Sequence, residues 1–241
     1  MINAYIISCN NDRYQEFCRR VPACIGQLKR INRTPENTVK PDWFKAKADR
    51  WALTAAYIDA LEEAKAQGSD ALLFEDDCVF VPDFETRYNE FMEGLPDDWD
   101  FAYLGGQLLA AKMYPPKAVE GFNAVLDGRF VHRTHAWALR HKAIDAVLSA
   151  WNNPSYPGIC TCDWILGYLH LQANIHVYIP ASGWLCGQGE NESALTCKRE
   201  PERWWHFTEP ELQNEIERIN AFCSASTNEV NNDDVPCRPN D

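Results

Sequence analysis

The chain has 241 residues, a formal net charge of −12 at pH 7, and 46% hydrophobic and 12% aromatic residues. This composition excludes a disordered protein and provides a sizeable core for one large domain. The acidic balance argues against nucleic acid as a partner, because phosphate backbones bind basic surfaces. The sequence contains neither a signal peptide nor an apolar run of about 18 residues, so we expect a cytoplasmic protein without a membrane span.

The first part of the chain predicts strands and helices in alternation. A buried strand over Ala4–Ser8 precedes a short helix over Tyr14–Val21. Residues 22–42 predict a long loop, because three prolines interrupt them. An amphipathic helix over Trp43–Gln67 then leads into a second buried strand over Ala71–Phe74.

The alternation continues to the end of the chain. The predicted elements are a helix over Phe84–Gly94, a strand over Phe101–Leu104 ended by Gly105, irregular chain over 107–128, a strand over Phe130–Leu139, helices over Lys142–Trp151 and Asp163–His170, a strand over Ile175–Ile179, a loop over Trp184–Thr196 and a helix over Glu209–Phe222. Residues 1–223 therefore predict a single α/β domain with a mostly parallel central sheet flanked by helices. The polar residues 224–241 predict a flexible tail.

Three consecutive acids, Glu75, Asp76 and Asp77, directly follow the apolar strand over Ala71–Phe74. Crowding like charges at a buried strand end costs several kcal/mol unless a cation or hydrogen bonds compensate. Carboxylate oxygens suit Mg²⁺ or Mn²⁺, and in α/β sheets ligands bind beyond the carboxyl ends of strands. In extended geometry Glu75 and Asp77 share a face, which predicts a divalent cation held by these two. The alternative is a solvated acidic turn.

Ten cysteines have no spacing typical of a zinc site. Those in apolar contexts are expected to be small core residues. The pairs Cys186/Cys197 and Cys223/Cys237 can form disulfides if the compartment is oxidising.

Several segments, in this order, resemble glycosyltransferase family 25, which includes bacterial lipooligosaccharide galactosyltransferases and collagen galactosyltransferases. The segments are a helix at Ala52–Tyr57, the strand and acids of Leu72–Asp77, the run Leu95–Gly106 and the strand Thr134–Leu139. The resemblance implies a GT-A fold, a UDP-sugar donor, Mn²⁺ or Mg²⁺ dependence, and inverting transfer of galactose or glucose to a hydroxyl of a glycan or protein. The chain departs from the family at Thr54, where the helix usually carries Ser-His.

The resemblance also implies roles for individual residues. Asp77 would be a metal ligand, and Glu75 or Asp76 would contact the metal or the ribose of the donor. His135 occupies the Thr-His-Ala position and would face the donor, or else be a core histidine. Arg13 corresponds to the arginine that follows the family's opening strand.

Further candidates come from the loops and the later part of the chain. Arg133 would share the strand face of His135 and contact phosphate, or lie on a solvated edge. Asp163 opens a helix after a loop, so we predict it as the general base, with a helix N-cap as the alternative. Glu190 is a second choice for that pocket. His206 would complete the metal site, as C-terminal residues of GT-A enzymes often do.

Two other functions remain open at this point. The absent helix histidine would suit a degenerate domain that binds a nucleotide sugar or glycan without turnover. The same acids would also suit a metal-dependent phosphohydrolase.

Overall fold

The computed structural model describes residues 1–153, 161–192, 199–200 and 202–204. The helices are α1 (Asn11–Arg20), α2 (Ala48–Ala66), α3 (Phe84–Glu93), α4 (Ile144–Trp151) and α5 (Cys162–Leu169). The strands are β1 (Ile2–Ile7), β2 (Leu28–Ile31), β3 (Asp70–Glu75), β4 (Cys78–Phe80), β5 (Phe101–Leu108), β6 (Lys117–Val119), β7 (Phe122–Asp127), β8 (Val131–Leu139), β9 (Val177–Pro180), β10 (Cys186–Gln188), β11 (Asn191–Glu192) and β12 (Arg199–Glu200). None of the helices in these ranges is long and apolar enough to cross a membrane.

The central sheet has eight strands in the order β2-β1-β3-β8-β5-β9-β7-β6. The pairs β1–β2, β1–β3 and β5–β9 are parallel, whereas β8 runs antiparallel to both β3 and β5. At the far side, β7 runs antiparallel to β9 and to β6. The α/β class is therefore confirmed, with a mixed sheet in which β7 and β8 oppose the other strands.

Both faces of the sheet are covered, and the strand pattern explains why. Successive residues of β3 point to opposite faces, and all four residues from Ala71 to Phe74 are buried. Leu73 packs in one apolar cluster with residues of α2, α4 and α5. Leu72 and Phe74 pack in a second cluster, on the side of α1 and α3. Each such side chain contributes roughly 1.5–3 kcal/mol through burial, so the two clusters fix the register of β3.

Several predicted boundaries were wrong. Residues 22–42 contain β2, which pairs with β1 although only Ile31 of this strand is buried. The stretch 107–128 contains the hairpin of β6 and β7. The strand predicted to end at Gly105 continues to Leu108, and the loop predicted from Trp184 contains β10. These errors share a cause, because pairing with neighbouring strands supplied order that a weak local pattern did not show.

The helices agree better with their predicted positions. The helix α2 begins at Ala48 rather than Trp43, and α3 matches its prediction to within one residue. The predicted helix over Glu209–Phe222, the tail over 224–241 and the domain boundary at 223 lie outside the described residues, as does Cys197, the predicted partner of Cys186.

Candidate functional site

The acidic triplet lies where three strands end. Glu75 is the last residue of β3 and pairs with Ile7 at the end of β1. Asp76 and Asp77 form the turn into β4. Since β3 and β5 both run antiparallel to β8, their carboxyl ends lie at the same edge as the beginning of β8. This edge therefore collects side chains from β1, β3, β5 and β8.

Glu75 is held by hydrogen bonds from two neighbouring elements. Its Oε1 accepts from the Tyr57 hydroxyl of α2 at 2.9 Å and from Thr134 Oγ1 of β8 at 2.7 Å. Burial and the nearby charge of Asp77 raise the pKa of Glu75 to about 7, although the two hydrogen bonds work against this rise. A carboxyl group with such a pKa can gain or lose a proton near neutral pH.

Asp76 connects β1 and α1 to the end of β3. It accepts a hydrogen bond from Ser8 Oγ at 2.6 Å and forms an ion pair with the Arg13 guanidinium. Its backbone oxygen accepts from Arg20 at 2.9 Å. Burial raises the pKa of Asp76 even though Arg13 and Ser8 favour the ionised form. Sequence reasoning missed Ser8, whose hydroxyl gives no distinctive pattern.

Asp77 is buried with 6% of its surface exposed, and β10 packs over it. Its Oδ2 accepts from Gln188 Nε2 at 2.8 Å and lies 3.7 Å from Arg13 Nη2. Its backbone oxygen accepts from the Gly189 N–H at 2.6 Å. Because β3 ends at Glu75, the prediction that Glu75 and Asp77 share a face does not hold. Instead, the carboxylates of Asp76 and Asp77 share the guanidinium of Arg13.

Whether Mn²⁺ or Mg²⁺ suits this edge of the sheet depends on the donor atoms that lie there. Two carboxylates, those of Asp76 and Asp77, converge on the single guanidinium of Arg13. Mg²⁺ commonly binds through one or two carboxylates plus substrate phosphates, so this donor set fits a cation that arrives with a diphosphate. No group of three or more His, Cys, Asp or Glu side chains in the described ranges is arranged to hold a metal by itself. His206 lies outside those ranges.

His135 is buried close to the triplet. Its Nε2 lies 3.5 Å from the backbone oxygen of Cys186. Burial lowers the pKa of His135 to about 4, although the charge of Asp77 acts in the opposite direction. A Cβ at Gly105 would overlap His135 Nε2 and lie 2.5 Å from the Cys186 oxygen. Gly105 therefore makes room for the histidine, and does not end the strand as predicted.

Arg133 lies in an irregular part of β8. Pairing of Gln107 with His132 and of Gly105 with Ala136 leaves three residues of β8 opposite one residue of β5. Arg133 has a φ of 76° within this bulge, and its Nε donates to Gln107 Oε1 at 3.3 Å. The assumption of extended backbone, which placed Arg133 on the face of His135, was therefore wrong.

Asp163 is the second residue of α5, and the N-cap position belongs to Thr161. Its Oδ1 accepts from the Thr161 hydroxyl and from the Trp164 N–H, the latter at 3.0 Å. Its Oδ2 lies 3.0 Å from His132 Nε2. Burial acts to raise the pKa of Asp163, but His132, the Thr161 hydroxyl and Arg133 outweigh it and lower the pKa.

His132 is the main residue of this region that sequence reasoning missed. The ring is buried, which lowers its pKa to about 4 despite the nearby carboxylate of Asp163. Its only sequence signal is its position three residues before His135. Glu190 follows β10 and comes directly after Gly189, whose N–H contacts the backbone of Asp77.

Comparison of the chain with protein-family models and with curated proteins finds no match. The likeness to glycosyltransferase family 25 therefore depends on the segments themselves and remains a prediction.

Proposed function

We propose that this protein is a metal-dependent glycosyltransferase of GT-A type that moves galactose or glucose from a UDP-sugar to a hydroxyl of a glycan or protein, with inversion. The observation that carries the proposal is the convergence of the Asp76 and Asp77 carboxylates on one cationic group at the carboxyl edge of β3. Such a concentration of buried acids is costly in a fold that has no use for it, and it suits a bound cation with a diphosphate.

Several residues at this edge would contact the donor or its metal ion. Asp77, with Asp76 or Glu75, would hold Mn²⁺ or Mg²⁺, which when bound neutralises the developing charge of the UDP leaving group. Arg13 already contacts both aspartates, so its guanidinium can turn to a diphosphate oxygen when the donor enters. His135 and Arg133 bring further polar groups to the same edge.

Inverting transfer also needs a group that takes the proton of the acceptor hydroxyl. Asp163 and its neighbour His132 lie on α5 and β8, beside the bulge that follows the start of β8. This pair supplies that group.

A binding domain without turnover is the second candidate. It is favoured by the ion pairs of Arg13, which already neutralise part of the triplet without a metal. A phosphohydrolase would use the same acids with water in place of a sugar acceptor.

A UDP-release assay on the full chain separates these functions. The chain is incubated with UDP-galactose or UDP-glucose and MnCl₂, with and without a panel of mono- and disaccharide acceptors. A transferase releases UDP faster when a suitable acceptor is added, whereas a hydrolase is unaffected by acceptors. If UDP binds but neither donor releases UDP, the transferase proposal is wrong and the binding domain is supported.

A further inference from the structure

We infer that Gln188 is a further ligand of the cation that Asp77 would hold, with the amide oxygen Oε1 as its donor atom. The inference rests on the proposed function, because it concerns the same Mn²⁺ or Mg²⁺ ion. It takes a ligand from β10, which packs over the acidic triplet. His206, for which such a role was predicted, lies outside the described residues.

The amide of Gln188 faces the carboxylate of Asp77. Its Nε2 donates to Asp77 Oδ2 at 2.8 Å. Because a carboxylate only accepts, the amide must present its N–H group rather than its oxygen while the two side chains are in direct contact. An amide carries no net charge, so this contact gives Asp77 a hydrogen bond without neutralising it. A cation at this position would do both.

The amide can reverse its two ends at little cost. The last torsion of a glutamine side chain is broad and roughly two-fold, so a half-turn about it exchanges the positions of Oε1 and Nε2. After that turn, Gln188 presents a carbonyl oxygen where it now presents an N–H group. Carboxylate and carbonyl oxygens are the ligands that suit Mg²⁺ and Mn²⁺. Gln188 and Asp77 would then provide two oxygen ligands to one cation.

The backbone of Gln188 is held on both sides. In β10 it pairs with Cys78 of β4. On its other side, its N–H donates to the Arg203 oxygen at 2.9 Å, and its oxygen accepts from the Arg203 N–H at 2.7 Å. The position of the amide is therefore set by the fold before any ligand arrives, and a preorganised ligand loses less entropy on binding.

Two glycines allow β10 to approach the triplet this closely. A Cβ at Gly189 would lie 2.9 Å from the Asp77 backbone oxygen, and a Cβ at Gly187 would lie 2.7 Å from the Trp204 ring. Side chains at either position would push the strand away. The Gly189 N–H also donates to the Asp77 oxygen at 2.6 Å. The sequence Gly-Gln-Gly thus lets the backbone of this segment touch that of Asp77, which places the amide of Gln188 beside the carboxylate.

The same side of Asp77 provides access from solvent. Asp77 is only 6% exposed, but Gln188 is partly exposed and the Arg13 side chain is 29% exposed. These are the two groups that contact Oδ2 of Asp77. A cation can therefore reach this oxygen when the amide and the guanidinium turn, and neither movement requires a change in the backbone of β3 or β10.

The Mn²⁺ affinity of the full chain tests the inference without any measurement of turnover. MnCl₂ is titrated into the chain with a fixed excess of UDP, free Mn²⁺ is followed by EPR, and a titration of UDP alone is subtracted. Gln188→Met keeps the length of the side chain but lacks an oxygen, so it should bind Mn²⁺ about tenfold more weakly than wild type, or weaker still. Gln188→Glu keeps an oxygen ligand and should bind at least as tightly as wild type.

Gln172→Met is the matched control, because Gln172 is exposed and lies after α5. It should bind Mn²⁺ as wild type does. Equal or tighter Mn²⁺ binding by Gln188→Met overturns the inference, since the amide would then only donate to Asp77 or compete with the cation; the proposed transferase would stand. A wild-type chain that binds no Mn²⁺ beyond the UDP blank overturns both the inference and the metal dependence of the proposed function.

A second measurement covers the case in which Gln188→Met does not fold. Wild-type chain with glutamine labelled with ¹³C at Cδ is loaded with MnCl₂ and UDP and studied by ENDOR spectroscopy. Direct binding through Oε1 should give a resolved ¹³C coupling to Mn²⁺, and Gln188→Glu prepared with the same label should lack it. A wild-type spectrum without this coupling, or a coupling that persists in Gln188→Glu, overturns the inference.

Discussion

Two acidic segments lie at opposite edges of the same sheet. Glu75, Asp76 and Asp77 follow the carboxyl end of β3, whereas Asp97, Asp98 and Asp100 precede β5. Because β3 and β5 run in the same direction, the second segment lies at the far edge. The two segments have similar composition and very different surroundings.

The acids of the segment before β5 connect neighbouring elements of the fold. Asp100 Oδ2 accepts from the His176 backbone N–H at 2.9 Å, and its Oδ1 lies 3.0 Å from Lys142 Nζ. Asp98 Oδ1 accepts from the Tyr178 hydroxyl at 3.0 Å. These acids thus hold together the chain before β5, the chain before α4 and the strand β9.

In the segment after β3 the acids interact unfavourably with one another. The charges of Asp77 and Asp76 both raise the pKa of Glu75. One guanidinium, that of Arg13, serves two carboxylates. Acidic composition alone therefore does not distinguish the two segments, whereas the mutual crowding of carboxylates after β3 does.

Among substitutions in the two acidic segments, we expect the largest effect on catalysis. Asp77→Asn should lower kcat/KM for UDP-galactose with Mn²⁺ by about 100-fold or more, because it removes a proposed metal ligand. Asp98→Asn, in the other acidic segment, should stay within about twofold of wild type. UDP-release kinetics on both variants check this, and equal activities would show that the two edges do not differ in function.

The next largest effect is on stability and concerns the acidic segment before β5. Asp100→Ala should lower the free energy of unfolding by about 2–3 kcal/mol, since Asp100 is 4% exposed and its removal leaves the His176 N–H and Lys142 without their acceptor. Asp145→Ala is the control: its side chain is 72% exposed and pairs with Lys65. Urea unfolding measures both variants. A decrease in the free energy of unfolding below about 0.5 kcal/mol for Asp100→Ala would contradict a structural role for this carboxylate.

Glu75 provides a pH-dependent effect of intermediate size. Its folded pKa of about 7 lies above its ordinary value of 4.5, so the folded chain binds this proton more tightly than the unfolded chain. The stability it contributes is present below pH 4.5 and is lost as the pH rises through 7. Glu75→Gln should therefore raise the free energy of unfolding at pH 8 by on the order of 2 kcal/mol and leave it nearly unchanged at pH 4.5.

Urea unfolding of Glu75→Gln at the two pH values measures this difference. The exposed residue Glu93 offers a matched control, because Glu93→Gln should not alter the pH dependence. A pH dependence for Glu75→Gln equal to that of wild type would mean that Glu75 titrates normally.

The smallest expected effect concerns the Arg13 guanidinium that Asp76 and Asp77 share. Arg13→Met should lower the free energy of unfolding by about 1 kcal/mol, because its side chain is 29% exposed and solvent screens part of the interaction. Added Mn²⁺ should restore stability to Arg13→Met more than it stabilises wild type, since a divalent ion can take the place of the guanidinium. Arg19→Met, in which the lost side chain is 71% exposed, should respond to Mn²⁺ as wild type does.

The sequence predicted the strand before the triplet, because that strand is a continuous apolar run ended by charges. The limits of α3 were also predictable from its helical spacing. In contrast, β2 has a single buried residue, Ile31, so nothing in its local pattern marked it as a strand.

The candidate site was predictable only as far as its acids. The role of Arg13 between Asp76 and Asp77 depends on α1 folding back over the end of β1. His132 was not predictable, because its contact with Asp163 requires a bulge in β8 that leaves no mark in the residue pattern. Both features arise from tertiary packing.

Titration of UDP into the full-length chain by calorimetry, with and without Mn²⁺, tests whether the triplet binds a cation together with a diphosphate. Wild type should bind UDP at least about tenfold more tightly with Mn²⁺ than without it, and Asp77→Asn should lose that difference. Equal UDP affinity for both proteins, unaffected by Mn²⁺, would contradict the assignment of this edge as the donor site.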